Sequence, residues 1–148
     1  MAELARLFYL FTICALLTGC PPSPGGPPPA PTTASLSIST KDYVSGGAGI
    51  QCTATVQWHF EPIALTGSQG KDAAFSVTQS YSGTSSQIEM SGAYPVYGCI
   101  HNDSQIGLKA GTWKIRATNG VWGAECQKQI SNSGFNTAQF TINRAGCQ

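Results

Sequence analysis

The chain has 148 residues, 41% hydrophobic and 10% charged, with a formal net charge of +1. That balance excludes the basic footprint of a nucleic-acid-binding protein and a polybasic membrane patch. Glycine and proline are plentiful, and no long helical pattern appears.

The first element is an apolar run from Leu7 to Leu17. A membrane-spanning helix needs about 20 such residues, so this run reads as the hydrophobic region of a signal peptide. Arg6 and the terminal amine precede it, opposed by Glu3. Leu17-Thr18-Gly19-Cys20 follows directly. Small residues before a cysteine, just past a short apolar segment, resemble the lipobox of bacterial lipoproteins. The resemblance implies a signal peptide over residues 1–19, cleavage before Cys20, diacylation of its thiol and acylation of the new N-terminus. Such an anchor exceeds the two signals that stable membrane attachment requires. The expected location is the bacterial cell envelope, with the outer membrane favoured over the inner one in a Gram-negative cell. A plain secretory signal cut nearby is the alternative. Cys14 lies within the apolar run and leaves with it.

Residues 20–33 comprise this cysteine and a linker holding seven of the nine prolines. Proline favours polyproline II at about 3.1 Å per residue, so the linker reaches up to about 40 Å. It reads as a stalk. A ligand for a proline-binding domain is the alternative, because Pro-x-x-Pro spacings start at Pro21, Pro24 and Pro28.

Residues 34–148 are the size of one domain. Apolar and polar residues alternate there with period two, over short runs bounded by Gly, Ser, Asn or Asp. Leu36 and Ile38 alternate with serines; Cys52, Ala54, Val56 and Trp58 share a face; so do Trp113, Ile115 and Ala117, and Phe140 and Ile142. The pattern predicts strands near 35–40, 50–58, 73–80, 86–91, 94–100, 112–118, 123–131 and 136–143. Residues 59–72 read as a loop, with room for a short strand at Ile63 to Leu65. One-sided apolar faces on several short strands predict an all-β antiparallel sandwich of about seven or eight strands.

Leu108-Lys109-Ala110-Gly111-Thr112-Trp113 resembles the Leu-x-x-Gly-Thr-Tyr turn of immunoglobulin-like and carboxypeptidase-regulatory-like (prealbumin-like) sandwich domains. There the chain enters a late strand through a tight glycine turn, with an aromatic residue on the corner. The similarity extends to Asn143 and implies an immunoglobulin-like fold rather than an activity. Trp113 stands where those domains carry tyrosine, so the phenolic hydrogen bond of that corner is not available.

Four cysteines remain after the signal and the anchor: Cys52, Cys99, Cys126 and Cys147. An even number in an exported domain reads as two disulfides. Cys52–Cys99 with Cys126–Cys147 joins the nearer pairs. A bridge between Cys52 and Cys126 stays open, because both sit on apparent inward faces. The spacings do not suit zinc, so neither metal nor cofactor is expected.

His101-Asn102-Asp103-Ser104 contains the residue types of a hydrolase triad. Neighbours in one segment do not readily adopt nucleophile, base and orienter geometry, and no Gly-x-Ser-x-Gly elbow is present. The segment reads as a polar turn. His59 reads as an edge residue, and the carboxylates are scattered singly, with no calcium-type run. Gly46 to Gly49 reads as a flexible loop rather than a phosphate loop. Among the aromatics, Trp58 and Trp113 fall on core faces. Tyr94, Tyr97 and Trp122 adjoin turns and form the candidate contact surface.

The sequence therefore describes a membrane-anchored envelope lipoprotein with a non-catalytic binding or structural sandwich. Its expected partners are the membrane, through the lipid, and a protein or glycan ligand in the envelope. Two alternatives are a phage- or plasmid-encoded surface lipoprotein that masks a receptor, and an enzyme accessory domain or weak hydrolase using His101 or His59.

Overall fold

The computed structural model describes residues 33–148. The signal, Cys20 and the linker up to residue 32 lie outside the described residues. Eight strands follow in chain order: β1 Ala34–Tyr43, β2 Gln51–Leu65, β3 Phe75–Thr84, β4 Ser86–Ser91, β5 Tyr94–Leu108, β6 Gly111–Thr118, β7 Gly123–Ile130 and β8 Asn136–Thr141. They form two four-stranded sheets, ordered β4-β5-β1-β8 and β3-β2-β6-β7. The all-β sandwich expected from the period-two pattern is present, and every predicted strand has its counterpart.

From β1 to β7 the strands take the places of B, C, C′, D, E, F and G in an immunoglobulin-type sandwich. β8 then crosses to the first sheet and lies beside β1, where strand A would be. It runs parallel to β1, with Leu36 opposite Asn136 and Lys41 opposite Thr141. The other strand pairs are antiparallel. As a result β1 is a central strand, flanked by β5 and β8.

Two segments expected to be loop or turn contain strand instead. The loop expected over 59–72 is strand as far as Leu65, because β2 continues its ladder with β6. Pro62 sits beside a register shift between Pro62 and Ala64. Pairing with β3 stops at Phe60 opposite Phe75, so Pro62 interrupts no ladder on that side. The turn expected at His101-Asn102-Asp103-Ser104 is instead the middle of β5, which runs on to Leu108. Asn102 pairs with Ser39 and Gln105 with Ser37, across a register shift that absorbs the extra residue. Polar composition suggested a turn there, but long-range pairing with β1 prevails.

The core lies between the sheets. From one side come Leu36, Ile38, Leu108 and Phe140; from the other come Val56, Trp58, Phe60, Trp113, Ile115 and Ile130. Trp58 stacks on Phe60, Phe60 stacks on Phe75 at 4.7 Å, and Phe75 meets Trp113 edge-on at 6.3 Å. This aromatic row follows from alternation, since residues two apart on a strand share a face. At the end where the chain enters the sandwich, buried Asn136 donates to the Ser35 and Ser131 carbonyls and accepts from the Ser131 amide. That satisfies its amide in both senses.

The corner before β6 takes the expected form, with a substitute for the missing phenol. Trp113 is fully buried, and its Nε1 donates to the Lys109 carbonyl at 2.9 Å. Gly111 turns the chain at φ 136°, where an added Cβ would collide with the Ala64 carbonyl.

Both disulfides link the two sides of the sandwich. Cys52 on β2 bonds Cys99 on β5, and Cys126 on β7 bonds Cys147 in the segment after β8. Cys147 itself forms an antiparallel bridge with Phe140. The connectivity is the nearer-pair pattern, and Cys52 and Cys126 are not joined.

Candidate functional site

Two polar groupings occupy the half of the sandwich away from Ala34. The first is on the outer face. Period two sends Lys41 and Tyr43 outward from β1, opposite to Thr40. Glu89 on β4 accepts from Tyr43 Oη at 2.8 Å and from Lys41 Nζ at 3.4 Å. The Tyr43 hydroxyl, with Lys41 beside it, holds the Glu89 carboxyl below its ordinary pKa. Arg144 lies over the Tyr43 ring at 4.9 Å, a cation–π contact. With Gln139 and Thr141 these residues line a concavity of about 330 Å³. Planar polar groups and one aromatic ring suit hydrogen bonding to a polar ligand, although Arg144 already covers the Tyr43 ring.

The second grouping faces inward. Thr40 and Asp42 continue the inner face begun by Leu36 and Ile38. Thr40 pairs with His101, and Asp42 pairs with Cys99. The His101 ring stacks on Tyr81 of β3 at 4.6 Å, and Tyr81 Oη donates to Gln79 Oε1. Burial pushes the His101 imidazole below its ordinary pKa, and the nearby Asp42 charge partly opposes this. Burial raises the Asp42 carboxyl, against the lowering effect of His101. The arrangement provides a histidine biased towards its neutral form beside a carboxylate. Among the described residues, no group of three or more His, Cys, Asp or Glu is placed to hold a metal ion.

A pH dependence follows. His101 has a folded pKa below its unfolded value of 6.5. The unfolded chain therefore binds the proton first, and stability is lost as pH falls from about 6.5 through the lowered value. Asp42 acts oppositely and lower: its raised folded pKa returns stability as pH falls towards 3.8. Melting curves should show a lower Tm at pH 5.5 than at pH 7.5. His101→Phe should flatten that difference, and an unchanged slope would refute the assignment.

The predicted contact residues are placed separately. Tyr94 is 78% exposed at the start of β5. Tyr97 is half-buried, and alternation along β5 puts it on the opposite face from Tyr94. Trp122 lies in the turn between β6 and β7, in the other sheet. It is half-buried, meets Phe140 edge-on at 6.3 Å, and donates from Nε1 to the Arg144 carbonyl at 3.0 Å. Its role is to close the edge of the core and fix the segment that carries Arg144. His59, on the outward face of β2, bonds Ser76 Oγ through Nδ1 at 2.9 Å. His59 and His101 lie in different sheets.

Sequence reading passed over Thr40, Asp42, Tyr43, Glu89 and Arg144 as site residues. The signal for the first two was present: the alternation that buries Leu36 and Ile38 continues through positions 40 and 42. Nothing local links Tyr43 to Glu89 or Arg144. Comparison with family models, curated proteins and solved structures finds no match to this chain.

Proposed function

We propose that this chain is a lipid-anchored protein of the bacterial cell envelope, carrying a non-catalytic β-sandwich that binds a protein or glycan partner or serves a structural role. The observation that carries the reading is Leu17-Thr18-Gly19-Cys20, placed after a short apolar run and directly before a proline-rich segment. An anchor needs a spacer to clear lipid headgroups, and residues 21–33 would supply up to about 40 Å of one.

The topology adds a direction. The spacer joins the sandwich at Ala34, and β1 carries the chain about 33 Å to Tyr43 at the other end. That far end holds the Tyr43, Glu89 and Arg144 grouping, and exposed Met90, Tyr94 and Val121. Exposed aromatic and thioether side chains beside charged groups are the usual materials of a contact surface. We assign partner contact to this end, with Tyr94 as its aromatic anchor.

The test compares wild type with Cys20→Ser in a bacterial host, by membrane fractionation and intact mass. Wild type should fractionate with membranes and carry a lipid-sized mass gain. Cys20→Ser should be unprocessed or released, without that gain. Both proteins cut and soluble would instead define a secreted domain with Cys20 free for thiol chemistry.

A further inference from the structure

Three buried side-chain atoms, among the described residues, have no hydrogen-bond partner in the protein: Thr40 Oγ1, Trp58 Nε1 and His101 Nε2. Their residues are 0%, 0% and 8% exposed. A buried polar atom left bare loses its bonds to water and gains nothing in return, so three in one small domain demand an explanation.

Two of the three are direct neighbours, and the third is one ring away. Thr40 lies directly across from His101 on β5 and directly across from Phe140 on β8. Residues opposed in this way place their Cβ atoms within about 5 Å of each other in an antiparallel pair. All three side chains of this row face the core. Trp58 comes from the other sheet and meets the Phe140 ring edge-on at 5.3 Å. The orphan hydroxyl is thus flanked by the orphan imidazole, and the orphan indole reaches the same row through Phe140.

Their chemistry selects the occupant. The indole N–H can only donate. A hydroxyl does both, and Nε2 of a neutral imidazole donates or accepts according to its tautomer. A cation would face the Trp58 N–H and find a single nitrogen ligand. An anion would have to give up its hydration beside the Asp42 carboxylate. A group with two donors and two acceptors completes the set, and water is the smallest such group. Domains of this size hold several buried waters, typically with about three protein bonds each. We infer that an internal water binds between the sheets here, accepting from Trp58 Nε1 and hydrogen-bonded to His101 Nε2 and Thr40 Oγ1. His101 also lines a groove of about 310 Å³ between β3 and the β4–β5 hairpin, with Thr84, Gln87 and Ile100. That groove is the route by which the water exchanges with solvent.

Two measurements on the full chain test this. Water–protein NMR should show a cross peak between a long-lived water and the Trp58 indole proton, assigned through Trp58→Phe. Thr40→Val gives a sign. It keeps the shape and removes the hydroxyl, so it should raise Tm if the hydroxyl is bare and lower Tm if the hydroxyl binds water. We expect the cross peak in wild type and a Tm lower by several degrees in Thr40→Val. The absence of the cross peak from wild type overturns the site, whatever the variant does. A raised Tm excludes Thr40 as a ligand and overturns the three-point site.

Discussion

Trp113→Ala should destabilise the domain by about 3–5 kcal/mol, the range for emptying a buried tryptophan site. Trp113 is fully buried at the corner where β5 turns into β6, against Phe75 and beside the Pro62 step of β2. Two losses combine. The cavity would open in the aromatic row that joins Trp58, Phe60, Phe75 and Trp113. The Lys109 carbonyl would also lose the indole N–H at 2.9 Å. Trp113→Phe separates the two, keeping most of the apolar volume while removing the bond, and should cost about 1–3 kcal/mol. Chemical denaturation of both variants checks the order. Domains of this class have about 5–15 kcal/mol in total, so the alanine variant should lose a large share of its stability. Equal losses in the two variants would show that packing contributes nothing beyond the hydrogen bond.

Replacing both partners of the longer disulfide, Cys52→Ala with Cys99→Ala, should cost about 4 kcal/mol on the chain-entropy account. The loop it closes spans 47 residues and takes in β2, β3 and β4. It contains the crossover at Ser85, where the chain passes from one sheet to the other. Ser85 is buried there, donating to the Gly47 carbonyl and accepting from the Ile50 amide. Removing Cys126–Cys147, with a separation of 21, should cost less, about 3 kcal/mol. It should also free the segment that carries Arg144. Denaturant midpoints of the two double variants, in oxidising buffer, should therefore fall in that order. A reversed order would mean that the closing segment contributes more to stability than loop length does.

Local alternation made the fold legible. Each strand carries its own period-two record, and Trp58 and Trp113 fall on inward faces because Val56 and Ile115 do. The disulfide pairing was also within reach. What alternation cannot encode is which strands become neighbours. The parallel placement of β8 beside β1 joins residues about 100 positions apart, as in the bond from Asn136 to the Ser35 carbonyl. The same limit hid the polar groupings. Asp42 and His101 lie far apart in the chain and come together only because β1 pairs with β5 in that register. Trp122 is a related case. Its neighbours Gly120 and Val121 indicate a turn, and the Phe140 ring that covers it comes from the other sheet.

The position of β1 has a mechanical meaning. Force applied at Ala34, against the far end of the sandwich, would load β1 along its own length. β1 is clamped on both sides, by β5 antiparallel and by β8 parallel. Ladder bonds on the β5 side stand across the pulling direction, so they resist together in shear rather than opening singly like a zip. A strand at a sheet edge, held on one side, would peel far more readily. With Cys126–Cys147 fastening the segment behind β8 to the opposite sheet, the fold has the construction of a tensile link.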